Sequence, residues 1–336
     1  MQGIGNTQTA NHRMLPAATA VADADVHTSN ARRTVRLMNR RKFLHTNAGL
    51  FITGSCVSSC VQSPTFHRGT SSRAYSDDLN RLTEWVVRSV VHEGIELLTN
   101  LPSRKTRGGR DRGDLKHLCW LQNCNLFGFH ALREFEPDMA KSLEQSYRGW
   151  YAKAFPDVEE RTENYLPLGK LPADPPPEGK FYRTILRETE TNGYTIGTET
   201  YHPDQLGTIF SDDPRSLLKF GALGAHLRND KRQAEVYFKK AFALWDGAGF
   251  RTPRRTQHDA YYTRYLAYAL IVERALHVKI PATMRDAIQN RLWSVQDKDG
   301  GLWTNYNRDG SLPPFAKKTT EIGPLTLLAY CEQLWP

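Results

Sequence analysis

The chain has 336 residues, 39% of them hydrophobic and 24% charged, an ordinary globular composition with enough residues for one large domain or two small ones. Its formal charge of +9 is unevenly spread: residues 1–60 hold seven Lys/Arg against two Asp/Glu, which leaves 38 against 34 for the rest. A surplus of four is too small to argue for a nucleic-acid partner, so none is expected. Nothing after residue 60 approaches the ~20 apolar residues of a spanning helix.

In chain order, Asn39-Arg-Arg-Lys-Phe-Leu-His45 resembles the twin-arginine export motif, with both arginines, the Phe and the Leu in place. The short apolar stretch Ala48–Gly54 follows it, and Met38 directly precedes it as the expected start. Residues 1–37 then read as an over-extended frame or a disordered extension. Val57-Ser-Ser-Cys60 resembles a lipobox, which makes Cys60 the candidate lipidation site and residues 61–76 a polar tether. The implied partners are the twin-arginine translocase and, through a lipid anchor, the membrane surface; the implied location is extracellular or periplasmic.

The spacing of Leu79, Leu82, Trp85, Val86, Val90, Ile95 and Leu98 predicts a helix over 77–100, capped by Asp77 or Asp78. A basic loop, 102–114, ends it. A second helix, 115–134, is apolar nearly all round and therefore expected to be buried. Pro137 opens a third, running to about Phe155. Residues 156–212 break the pattern with Pro172, Pro175, Pro176, Pro177 and several glycines, and Phe181–Arg187 and Gly193–Tyr201 favour short strands or a hairpin. An irregular insertion of that length is usually a functional loop. Helices are then expected over 214–227, 230–245, 258–276, 281–295 and 319–334, with apolar ones alternating with amphipathic ones. Cys119, Cys124 and Cys331 have neither C-x-x-C nor zinc spacing and read as buried small apolar residues, and Cys56 and Cys60 fall in the leader.

Leu292-Trp-Ser-Val-Gln296-Asp-Lys-Asp299-Gly-Gly301-Leu-Trp303, followed by Thr319–Tyr330, resembles the repeat signature of the squalene-cyclase and prenyltransferase superfamily. In that pattern Gln bonds backbone of a neighbouring repeat, Asp-Gly makes the turn and Trp stacks beneath it. The resemblance is strong over 285–334, weaker over 213–284, and only a pattern match over 77–155. It implies an all-α fold, an α/α toroid of about four helical hairpins, incomplete or distorted, spanning 77–336 with a small β-containing insertion at 156–212.

That architecture serves many reactions, so chemistry has to come from residues. The acidic cluster of alkene-protonating cyclases and the metal-binding motif of diphosphate-ionising synthases have only Asp212-Asp213 as a partial match, and no zinc triplet is found. No metal or other cofactor is expected. In toroids that act on sugars, catalytic carboxylates and His/Tyr residues gather at one mouth, near the starts of the inner helices and on long loops. That rule selects Asp259, His258, Tyr262, Glu321 and Asp213 as catalytic candidates. It selects Asn123, Asn125, His202, Asp204, Arg255 and Trp303 as substrate-binding candidates. Hydrolysis needs two carboxylates about the scissile bond. Elimination needs a Tyr or His base and a neutraliser of a uronate carboxylate, a role open to Arg254, Arg255 or Arg264. The expected function is that of an exported hydrolase or lyase on an extracellular polysaccharide. The alternatives are a non-catalytic envelope binding protein and, third, a terpenoid cyclase-like protein.

Overall fold

A computed structural model describes residues 75–92, 94–100, 117–158, 160, 162–252, 260–332 and 334. The twin-arginine motif, Cys60, the basic loop, and the candidates Arg255, His258 and Asp259 lie outside these residues.

The fold is mixed, which corrects the all-α expectation. Helix α1, Ser76–Arg88, stops twelve residues short of its predicted end. Ser89 turns its hydroxyl back onto the Trp85 carbonyl, and Glu96 takes a positive φ of 51°. The chain therefore folds into a small antiparallel pair, β1 Val90–Val91 with β2 Leu97–Leu98. The second predicted helix begins instead as strand β3, Leu118–Trp120. It then passes through a π-helix, Leu121–Leu126, before becoming α2, Phe127–Phe135. Helix α3, Pro137–Ala154, starts at its proline as read from sequence.

The insertion holds a 3₁₀ turn, Glu163–Leu168, and a long hairpin, β4 Lys180–Thr191 with β5 Tyr194–Thr208. Asn192 and Gly193 both adopt positive φ, 49° and 74°, the geometry of a two-residue turn whose twist suits the strands it joins. β3 adds to β5 in parallel, giving a three-stranded mixed sheet in the order β3-β5-β4. A twelve-residue strand paired with a fifteen-residue one is a structural layer, which is why an all-helical toroid is the wrong description.

The remaining elements are a second π-helix, Ser216–Leu223, continuing into α4 Gly224–Leu227; α5 Lys231–Phe242; α6 Thr263–Leu276; α7 Ala282–Ser294; and α8 Ile322–Tyr330. Two residues expected as the start of α6 pair as a strand, β6 Tyr261–Tyr262, with β7 Asn305–Tyr306. α8 is buried along almost its whole length and packs on α1, α2 and α6. Among the described residues no helix is long and apolar enough to cross a membrane. Cys119, Cys124 and Cys331 are free and buried, and burial pushes the Cys119 and Cys331 thiols up to about 12.

The segment that carries the repeat-like signature joins the two ends of this unit. The Gln296 amide donates to the Asp78 carbonyl at 2.9 Å and to Gly300 at 3.0 Å. Gly300, at φ 94°, makes the turn against the Arg81 backbone, and Gly301 lies under the Trp85 indole. Trp303 forms a backbone bridge with Lys318, whose ammonium stands 5.2 Å over its ring. A second turn of similar build, Trp245–Phe250, has Gly247 at φ 91° and the same short antiparallel bridge. A side chain at Gly301 would meet the Trp85 ring at 2.5 Å. We therefore expect Gly301→Val to destabilise the protein by about 1–3 kcal/mol, the usual cost of overpacking, read as a lower urea midpoint.

Candidate functional site

Three of the residues selected from sequence share one cleft of about 240 Å³: Asn123, Tyr262 and Glu321. Its wall is completed by Trp120, Arg264, Asn305, Lys317 and Thr319 among others. Each side chain is delivered by the end of an element. Asn123 sits in the first π-helix, where the widened i→i+5 turn displaces side chains from the ordinary helical positions. Tyr262 closes β6, immediately before α6, and pairs with Asn305 in β7. Glu321 immediately precedes α8.

The cleft is polar and carries cations. Arg264 places its guanidinium 5.2 Å from the Tyr262 ring centroid and 3.6 Å from the Glu321 carboxylate. Burial works against the Arg264 charge, but Glu321 and the neighbouring tyrosines outweigh it and hold its pKa above the ordinary value. The Thr319 hydroxyl, buried in the cleft wall, has no hydrogen-bond partner among the described residues. Among the described residues no group of three or more His, Cys, Asp or Glu could hold a metal ion.

The other candidates are placed elsewhere. Asn125 is fully buried and its amide is spent on backbone: it accepts from the Leu98 N–H and donates to the carbonyls of Leu98 and Trp120. His202 and Asp204 are exposed on β5 and face each other at 3.5 Å. Asp213 accepts from the Arg215 N–H and the Ser216 hydroxyl, which makes it a helix-start cap. It lines a separate pocket of about 160 Å³ with Phe181, Phe210 and Phe220. Trp303 does not line the cleft; its carbonyl accepts from Thr263 and its ring lies under Lys318.

Behind Asn123 lies a buried polar chain that sequence reading missed. The Lys219 ammonium, 2% exposed, donates to Asn164 Oδ1 at 2.5 Å. Asn164 Nδ2 donates to one Glu199 oxygen at 2.9 Å, and Asn123 Nδ2 donates to the other. Gln122 fixes the backbone of that strand, accepting from the Glu199 N–H at 2.7 Å and exchanging bonds with Thr198. Glu163 is close by and accepts from the Tyr182 N–H. Burial lowers the Lys219 pKa to about 7, with help from Arg215, against the pull of Glu199, Glu163 and Glu321. Burial likewise raises Glu163 to about 7, against the pull of Lys219. One signal was present in the sequence: a lone lysine in the small apolar run Ser216–Leu223.

Comparison with family models, curated proteins and solved structures finds no match. The site therefore has to be read from its own geometry.

Removing the Lys219 ammonium strands the Asn164 carbonyl in a buried position, so Lys219→Met should destabilise the fold by about 1–3 kcal/mol. The gap should also depend on pH. Above about 7 the folded protein has shed the Lys219 proton while the unfolded chain keeps it up to the ordinary lysine range. The unfolded state then binds more protons, so wild-type stability gains with rising pH across that window. The variant lacks this gain, and urea unfolding between pH 7 and 10 should show the two curves diverging upward.

Proposed function

We propose that the cleft of Asn123, Tyr262, Arg264 and Glu321 is the active site of a carbohydrate-active enzyme, a lyase that breaks an acidic polysaccharide by β-elimination. The observation that carries this reading is the pairing of a tyrosine with a cation at one polar cleft: Arg264 stands against both Tyr262 and Glu321. Lys317 adds a second cation and Asn123 and Asn305 add amides, donor and acceptor groups suited to hydroxyls and a carboxylate. Trp120, half-buried at the cleft, offers an aromatic edge to a sugar ring.

In such a reaction Arg264 and Lys317 neutralise the uronate carboxylate and the enolate charge that develops on it. The Tyr262 oxygen, as the base, takes the C5 proton. The electron pair left behind forms the C4=C5 double bond as the C4–O4 bond breaks, and Tyr262 returns the proton to the departing oxygen. Hydrolysis is supported less well. It needs two carboxylates facing one bond, whereas among the described residues Glu321 is the single carboxylate of the cleft wall and is paired with Arg264. A terpenoid-binding role suits an apolar, aromatic-lined cavity better than this polar one. The lyase reading goes with export and, if Cys60 is lipidated, with a membrane tether; both rest on residues 39–60.

A second reading is a non-catalytic polysaccharide-binding protein. It draws on the local partners of Asp213, Asp204 and Glu321, since a carboxylate tied to a neighbour is less free for chemistry. The two are separated by incubating the purified protein with polyuronates and following the ultraviolet absorbance of unsaturated ends. The lyase reading expects product from the wild type and a loss of at least about 10²-fold in Tyr262→Phe with retention on the polymer intact. Retention by the wild type without unsaturated ends selects the binding protein.

A further inference from the structure

We infer that Glu199 is a positioning residue that fixes the polarity of the cleft: by accepting the Asn123 amide N–H it turns the Asn123 carbonyl oxygen toward bound substrate, so that this end of the cleft takes a hydrogen-bond donor such as a sugar hydroxyl and rejects a sulfate or second carboxylate. The inference rests on the cleft being a sugar site.

The direction follows from which groups can only donate and which can only accept. An ammonium has donors alone, so Asn164 must offer its oxygen to Lys219, and the bond is 2.5 Å. Its NH₂ group is thereby aimed at Glu199, at 2.9 Å. A carboxylate only accepts, so the group that Asn123 presents to the second Glu199 oxygen must also be its NH₂. The Asn123 oxygen is the other arm of the same planar amide, and no hydrogen bond to it is found among the described residues. Neither amide can flip without setting donor against donor or acceptor against acceptor. The cleft wall thus combines an acceptor backed by a carboxylate at Asn123 with the cations Arg264 and Lys317. A substrate with one carboxylate for the cations and free hydroxyls for Asn123 fits this pattern; one O-sulfated at the Asn123 end does not.

Glu199→Gln tests the relay, because it inverts what Asn123 can do. Asn164 stays held by Lys219, so the introduced glutamine must give its oxygen to Asn164 and its NH₂ to Asn123. Asn123 then has to turn over and present N–H to the cleft. The work is done well below pH 7, because losing Glu199, which raises the Lys219 pKa, pushes that pKa further down. Two measurements on the full chain are read together. Side-chain amide exchange by NMR should show the Asn123 protons protected in the wild type and exchanging about tenfold faster in Glu199→Gln, the worth of one lost hydrogen bond. Binding of oligogalacturonate and of its O-sulfated form should show a preference for the unsulfated probe that falls by about tenfold in the variant. Glu199→Asp, which keeps an acceptor-only group, should retain the wild-type preference.

Unprotected Asn123 protons in the wild type overturn the inference, and this arm needs no variant that folds. So does an exchange rate or a preference unchanged by Glu199→Gln. If neither probe binds the wild type while Asn123 exchanges as expected, the sugar reading fails and the specificity claim goes with it, whereas the amide arm stands apart from that failure.

Discussion

A lysine with almost no solvent exposure has to be surrounded by acceptors, and this requirement organises the centre of the molecule. Lys219 stands on the second π-helix and is answered from the 3₁₀ turn by Asn164 and from the hairpin, through Asn164, by Glu199. An uncompensated buried ammonium is costly enough that these three elements cannot drift apart independently. Glu199 then reaches the first π-helix through Asn123, and Gln122 next to it binds the same strand through its backbone. The polar chain therefore ties β5 to Leu121–Leu126 through the Gln122 and Asn123 bonds, which an apolar contact would not direct.

Two widened helices supply this chain, and that is a physical reason for its position. A π-turn inserts one residue into the helical repeat and locally displaces side chains from the 3.6-residue stripe. In Leu121–Leu126 this places Gln122, Asn123 and Asn125 against three different partners: the hairpin strand, the Glu199 carboxylate beside the cleft, and the backbone of β2. In Ser216–Leu223 it seats Lys219 among apolar neighbours and yet within reach of Asn164. Helix propensity alone predicts neither arrangement.

This explains what could be read in the sequence. Helices with one wet face, Pro137–Ala154 and Lys231–Phe242, were legible at their starts, because their apolar stripes and the signals at Pro137 and Asp230 are local, while the second ends three residues before its expected 245. The hairpin was visible as alternating β-formers, but its full length was not, since the strands continue through exposed polar residues that pair only because the opposite strand is there. The starts of α2 and α6 were set too early: Leu118–Trp120 and Tyr261–Tyr262 are helix-compatible by pattern and are claimed as strands by β5 and β7, which are distant in sequence. The all-α expectation failed at these places. For the candidate site, the rule that polar residues cluster at helix starts selected Asn123, Tyr262 and Glu321, which share a cleft. It also selected Asn125, Asp213, His202 and Asp204, whose partners are local. Glu199 carried no pattern that distinguished it from a solvated charge, and Lys219 only its place in the apolar run Ser216–Leu223, because burial is a property of the assembled fold.

The charge arrangement at the cleft bears on which chemistry it can support. A hydrolytic pair works because two carboxylates face one another across a bond with different protonation states. Among the described residues at this cleft the second carboxylate, Glu199, stands behind Asn123 with both oxygens taken by amide N–H groups, and Glu321 is drawn to Arg264. Neither is left with the freedom that an acid and a base require. What does face open space is a tyrosine under a guanidinium, with a second cation in the same wall. Positive charge of that kind favours a reaction in which negative charge grows on the substrate and disfavours one that builds an oxocarbenium ion. The lyase proposal draws on this wall, which sets Arg264 and Lys317 beside Tyr262.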